Sequence, residues 1–163
     1  MRTRRFPRNA SRGFTMIEAV VVIIVLGVLA AMVYSPGSSP LGASRKANAD
    51  ALRSHIRYAQ SRAMKSGSTF GINCDGNAYW LFTGNDASVP SALPGETAAS
   101  VNLAARNVSL TAFTVAFDTA GRPYSDANLA TPLSANLSLN LSATDVSGVS
   151  VALTLTMETG YVR

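Results

Sequence analysis

Arg12-Gly13-Phe14-Thr15-Met16-Ile17-Glu18 runs directly into Ala19-Val20-Val21-Val22-Ile23-Ile24-Val25-Leu26-Gly27-Val28-Leu29-Ala30-Ala31-Met32-Val33-Tyr34. These residues decide the fold. A basic N-terminus meets an apolar run whose one formal charge is Glu18. Coiled as an α-helix, residues 14–34 reach about 31 Å, enough to cross the hydrocarbon core of a bilayer. Secretory signal peptides and plain signal anchors keep acids out of the apolar part, because a carboxylate there costs about 2.5–3.5 kcal/mol. Glu18 therefore calls for a compensating partner, and a charge on another molecule supplies it.

Gly13-Phe14-Thr15-Met16-Ile17-Glu18, between an Arg-rich leader and an unbroken apolar run, resembles the N-terminus of type IV prepilins and type II secretion pseudopilins. The usual pattern there is G-F-T-L-I-E, and Met16 is a mild apolar exchange for the leucine. The resemblance implies cleavage by prepilin peptidase between Gly13 and Phe14, then N-methylation of Phe14. It also implies that Glu18 pairs with the N-terminal amine of a neighbouring subunit in a helical filament. The partners it implies are other pilin or pseudopilin subunits, the peptidase, and the inner membrane with its assembly platform.

The 163 residues suffice for one anchor helix and one small globular domain. The formal charge of +5 suggests nucleic acid until its location is read. Arg2, Arg4, Arg5, Arg8 and Arg12 all precede Gly13, and beyond that point nine Lys/Arg face nine Asp/Glu. The leader's charge reads as a positive-inside signal, holding residues 1–13 in the cytoplasm and placing the domain in the periplasm. Cys74, the single cysteine, has no intrachain disulfide partner and reads as a small buried hydrophobe.

Ser35-Pro36-Gly37-Ser38-Ser39-Pro40 breaks the helical pattern, so residues 35–41 are expected to be a flexible joint. Residues 42–66 read as a second helix, with Ala49, Leu52, Ile56, Ala59 and Ala63 in one apolar stripe and Gly67 as its C-cap. Lys46 and Asp50 are spaced to pair across one turn. The cations Arg45, Lys46, Arg53, Arg57, Arg62 and Lys65 read as a solvated outer face, and His55 as a helix-surface residue that ligates nothing.

Strand character follows. Ser68–Cys74 and Ala78–Thr83 flank Asp75-Gly76-Asn77 as a hairpin, with Tyr79, Trp80, Leu81 and Phe82 expected against the helical stripe. Residues 84–100 read as a long loop. Residues 107–118 alternate, with Phe113, Val115 and Phe117 on one face and Thr114 and Ala116 on the other. Residues 119–123 and 145–148 are expected turns. Residues 136–142 and 149–157 alternate and pair as an antiparallel hairpin. The expected fold is α+β: a filament helix with a Pro/Gly break, then a second helix packed on a mostly antiparallel sheet of about six strands across 68–163, resembling type IV pilins.

The domain extends the resemblance. The helix end at residues 57–67, the segment Phe117-Asp118-Thr119-Ala120-Gly121-Arg122-Pro123 and the ending Glu158-Thr159-Gly160-Tyr161-Val162 are similar to the minor pilins that include H-type pseudopilins and FimT-like proteins. The ending is also similar to a minor pilin of mannose-sensitive haemagglutinin pili.

No catalytic constellation stands out. One histidine and one cysteine provide no metal cluster, and no Gly-rich phosphate loop or nucleophile elbow is present. Neither enzymatic activity nor a cofactor is expected, and Asp118 reads as a turn residue. The expected function is a structural subunit of a pilus or secretion pseudopilus. The alternative is a DNA-binding minor pilin. FimT-like proteins implied in DNA uptake carry Gly-Arg-x-Arg near the C-terminus, whereas this chain has Gly160-Tyr161-Val162-Arg163. Residues 67–163 hold three arginines against seven acids, a poor phosphate surface. Arg53, Arg57 and Arg163 are the weak candidates for nucleic-acid contact.

Overall fold

The computed structural model describes residues 14–33, 40–143 and 150–163, in two units, Met1–Ser39 and Pro40–Arg163. In the first unit, α1 spans Met16–Val33 and carries no polar side chain except Glu18. Phe14 and Thr15 precede it in non-helical conformation. Its 18 residues are shorter than the 14–34 span read from sequence. Among the described residues no helix is long and apolar enough to cross a membrane. Gly13 and the rest of the leader, Tyr34, Ser35–Ser39 and the expected turn at 145–148 lie outside the described residues.

The second unit opens with α2, Pro40–Ser66, so two residues assigned to the joint are already helical. Proline suits a first helical turn because its missing N–H would have had no intrahelical partner there. Ala49, Leu52, Ile56, Ala59 and Ala63 are all buried, as their spacing requires. Gly67 closes the helix with φ +65° and donates its N–H to the Ala63 carbonyl at 3.2 Å.

Eight strands follow: β1 Phe70–Cys74, β2 Ala78–Thr83, β3 Ser100–Asn102, β4 Val108–Leu110, β5 Phe113–Phe117, β6 Pro123–Tyr124, β7 Leu137–Ala143 and β8 Ser150–Leu155. They form two antiparallel sheets, ordered β3-β2-β1-β5-β6 and β4-β7-β8. The single six-stranded sheet expected from sequence is thus divided, and the alternating stretch 107–118 is cut at Thr111-Ala112 between the two sheets. Alternation reports which way side chains face. It does not report which strand lies alongside.

α2 packs on β1 and β5 of one sheet and on β7 and β8 of the other, so its stripe joins both. Ile72, Val115, Phe117, Leu139, Leu141, Leu153 and Leu155 complete one core with it. The β1–β2 hairpin turns at Asp75, whose Oδ1 accepts from the amides of Asn77 at 2.8 Å and Ala78 at 2.7 Å. The register pairs Cys74 with Tyr79 and Ile72 with Leu81. Cys74 is buried and unbridged, and burial pushes its thiol up.

The aromatic run of β2 does not all meet the helix. Tyr79 and Leu81 enter the main core. Phe82 and Trp80 face the other way into a small second core with Ala116 and Ala127. The period of two makes this separation unavoidable. The far face of the first sheet is buried there, and Ala116 lies under that cover.

Candidate functional site

The candidate site is the start of α1. Thr15 occupies the N-cap: its carbonyl accepts from Glu18 and Ala19 amides at 3.1 and 3.2 Å, and its hydroxyl receives the Glu18 amide at 3.4 Å. This is half of a capping box, and the Thr15-x-x-Glu18 spacing that announces it was the signal overlooked in sequence. Glu18 sits in the first turn, where the positive end of the helix dipole favours a carboxylate. Part of the reason for an acid in this apolar run is therefore local to the helix.

Around that acid the surface is apolar on every side. Phe14 is 76 % exposed and Met16 88 %, and Ile17, Val20, Ile23 and Ile24 are exposed as well. A helix hydrophobic all round requires a lipid or protein environment, because water penalises the surface by about 25 cal/mol per Å². One carboxylate in the first turn of such a helix, four residues after the exposed Phe14, can accept a cationic group brought by another molecule.

The domain places the remaining candidates apart from one another. Asp50 bonds the guanidinium of Arg53, a turn-spaced pair that takes the place expected for Lys46. Arg57 is exposed, donates from Nη2 to the Val162 carbonyl at 2.8 Å, and lies 5.2 Å from the centre of the Tyr161 ring. Arg163 is exposed and follows directly in the C-terminal segment, where its backbone exchanges hydrogen bonds with Thr154 at 3.1 Å in both directions. Arg57 and the C-terminal segment that carries Arg163 are brought together, and Arg53 is not part of that contact. The cationic outer face is incomplete in another way, since Arg45 is buried.

His55 departs most from its sequence reading. It is 5 % exposed, not on the surface. Its Nδ1 is 3.0 Å from the Tyr79 hydroxyl and its Nε2 3.2 Å from the Pro94 carbonyl. Its position three residues after Leu52 and four before Ala59 puts it on the flank of the buried stripe, a signal that spacing did contain. Asp118 is the turn residue expected. Its Oδ1 accepts from the amides of Ala120 and Arg122 at 2.9 and 2.8 Å, and its Oδ2 from Arg122 Nε at 2.9 Å. Among the described residues no group of His, Cys, Asp or Glu side chains could hold a metal ion.

Residues 8–34 match the prokaryotic N-terminal methylation motif. The crystal structure of the type IV minor pilin FimU from Pseudomonas aeruginosa strain PAO1 superposes with a TM-score of 0.53 at 12 % identity, over 73 % of this chain and 86 % of that one. No curated protein matches the sequence. The fold, an N-terminal helix and a second helix packed on antiparallel sheet, is that of type IV pilins. The chain thus joins an N-terminal methylation motif to a type IV pilin fold.

Proposed function

We propose that the protein is a structural subunit, a minor pilin or pseudopilin, that enters or primes a type IV pilus or a type II secretion pseudopilus. Before assembly it is held in the bacterial inner membrane by residues 14–34, with the domain in the periplasm. Prepilin peptidase cleaves between Gly13 and Phe14, and Phe14 is N-methylated. The observation that carries this reading is the start of α1: one acid, in the first turn of a helix otherwise apolar on all sides, close in sequence to Phe14. Apolar helices gain little by leaving lipid for one another, so polar contacts and packing must direct them. Glu18 against a neighbour's N-terminal ammonium supplies that direction and sets axial register, because a misplaced subunit leaves both charges unpaired at a cost of several kcal/mol.

The test is Glu18→Ala in the bacterium that makes the protein. The membrane-fraction level should be unchanged, while the subunit is lost from sheared or purified filaments. Recovery of Glu18→Ala subunits in filaments at the wild-type level sinks the register role.

A further inference from the structure

The long segment after β2, residues 84–99, is strapped to the domain at several points. Trp80 Nε1 donates to the Ala87 carbonyl at 2.8 Å, the Ser91 amide donates to the Leu81 carbonyl at 2.7 Å, and Leu93 is buried in the main core. Glu96 Oε2 accepts from Arg106 Nη2 at 2.6 Å. A further strap is His55, which reaches Pro94 from α2.

The chemistry of that contact assigns the tautomer. The Pro94 carbonyl can only accept, so Nε2 carries the hydrogen. Neutral Nδ1 is then the lone-pair nitrogen and accepts from the Tyr79 hydroxyl. Both bonds are satisfied by an uncharged ring and by no other form without rearrangement. A second proton, on Nδ1, would point at the Tyr79 oxygen and force that buried hydroxyl to turn its own hydrogen away from its acceptor. We propose that His55 is a proton-operated latch: its neutral ring holds the 84–99 segment closed over α2, and protonation releases it.

The groups that face the ring agree. From β2 comes Tyr79, itself pushed up by burial, with Cys74 its partner across the β1–β2 register. From the segment comes Glu96, and from the short 3-10 helix Ala104–Arg106 comes Arg106. Glu96 is already paired with Arg106, so a charged imidazole would have to share one carboxylate with a guanidinium. Burial, the largest effect, holds the His55 ring below its ordinary value; the Pro94 hydrogen bond and the Glu96 charge oppose it, and the Arg106 charge adds the smallest effect in the same direction as burial. Desolvating a cation is the dominant cost, and water reaches the ring most readily if the segment over it lifts. The sign follows from linkage. An imidazole harder to protonate when closed than when open stabilises the closed form above about pH 6.5, and that stabilisation is lost as the pH falls below it.

Amide hydrogen exchange of the full chain in detergent, corrected for intrinsic rates, tests the latch at about pH 7.5 and about pH 5.5. Exchange in peptides from 84–99 should rise severalfold at the lower pH while β1 and β7 stay protected. In His55→Gln, whose neutral amide can still donate to Pro94, that rise should vanish. Equal protection of 84–99 at both values, or the same rise in His55→Gln, overturns the proposal. Because His55 is the one histidine, its ring signals in an NMR titration of the wild type are unambiguous. A midpoint at or above about 6.5 also overturns it, whether or not the variant folds.

Discussion

Arg57 donates from Nη2 to the carbonyl oxygen of Val162 at 2.8 Å, joining the exposed side of α2 to the C-terminal segment. One turn further, Gln60 Nε2 donates to the carbonyls of Thr159 at 2.6 Å and Gly121 at 2.8 Å. Val162 is itself buried and bridges Leu155. The C-terminal segment is therefore part of the domain's fold, clasped between α2 and β8.

Gly160 is the residue that makes this clasp possible. Its φ of +64° lies in the left-handed region, and a Cβ there would meet Phe117 Cε1 at 2.7 Å and Gln60 Nε2 at 2.8 Å. Phe117 is fully buried and has nowhere to retreat. Gly160→Ala should destabilise the domain by about 2 kcal/mol or more, combining backbone strain and overpacking. The check is the denaturant midpoint of the full chain in detergent, followed by near-UV ellipticity. A midpoint equal to wild type would show that the clasp yields at no cost.

Gly71 in β1 is constrained by space alone. A Cβ would lie 2.3 Å from the Val115 carbonyl and 2.4 Å from Phe82 Cζ. The Phe82 ring lies over the glycine on the far face of the first sheet, and the paired strand β5 closes the remaining side. Gly71→Ala is expected to cost about 3 kcal/mol or more. Adding Phe82→Ala should not restore stability, since the Val115 carbonyl remains in the way. Full rescue by that second change would place the constraint in the ring instead.

These glycines mark where sequence reasoning stopped. The α2 stripe was legible because 3- and 4-residue spacing has one structural solution, and every residue assigned to it is buried. The β1–β2 and β7–β8 pairings were legible for the same kind of reason, alternation along both partner segments. The division into two sheets was not, because β4 and β5 both alternate and differ only in their partners. His55 was misplaced because a polar residue on a cationic helix looks solvated unless its spacing to Leu52 and Ala59 is weighed first. At the candidate site the sequence shows where Phe14 and Glu18 stand, whereas the Thr15 cap is a local geometry that a reading of charge alone does not reveal.

Asp118 should make the domain's stability depend on pH. Burial works against its charge, but the hydrogen bonds from the Arg122 amide and guanidinium and the Ala120 amide, with the Arg122 charge, hold the carboxyl below its ordinary 3.8. A carboxyl lowered in the folded state stabilises that state above the unfolded value and loses the contribution as the pH falls through the folded one. The wild type should therefore lose stability steeply below about pH 3.9. Asp75, Asp86 and Asp126 are also held low by hydrogen bonds and contribute in the same direction. Asp118→Asn keeps one acceptor oxygen for the two amides and removes the titration. Its midpoint should be lower than wild type near neutrality and should fall less between about pH 5 and about pH 3. Parallel pH profiles for the two proteins would rule Asp118 out as a source of the dependence.

Processing gives a prediction that charge makes easy to read. Phe14 is exposed and, like Thr15, precedes the first turn of α1, so the bond expected to be cut lies before the helix and not within it. A peptidase needs an extended segment it can grip, and a bulky side chain at Gly13 should obstruct it. The precursor has a sequence pI of about 9.9, while the chain from Phe14 onward carries equal numbers of basic and acidic side chains. Removal of residues 1–13 should therefore move the protein several units toward neutrality on isoelectric focusing. Intact-mass spectrometry should find the wild type beginning at Phe14 with one added methyl group. Gly13→Leu should retain the leader, its five arginines and the basic migration. A Gly13→Leu protein with the same mature mass as wild type would place the cleavage elsewhere.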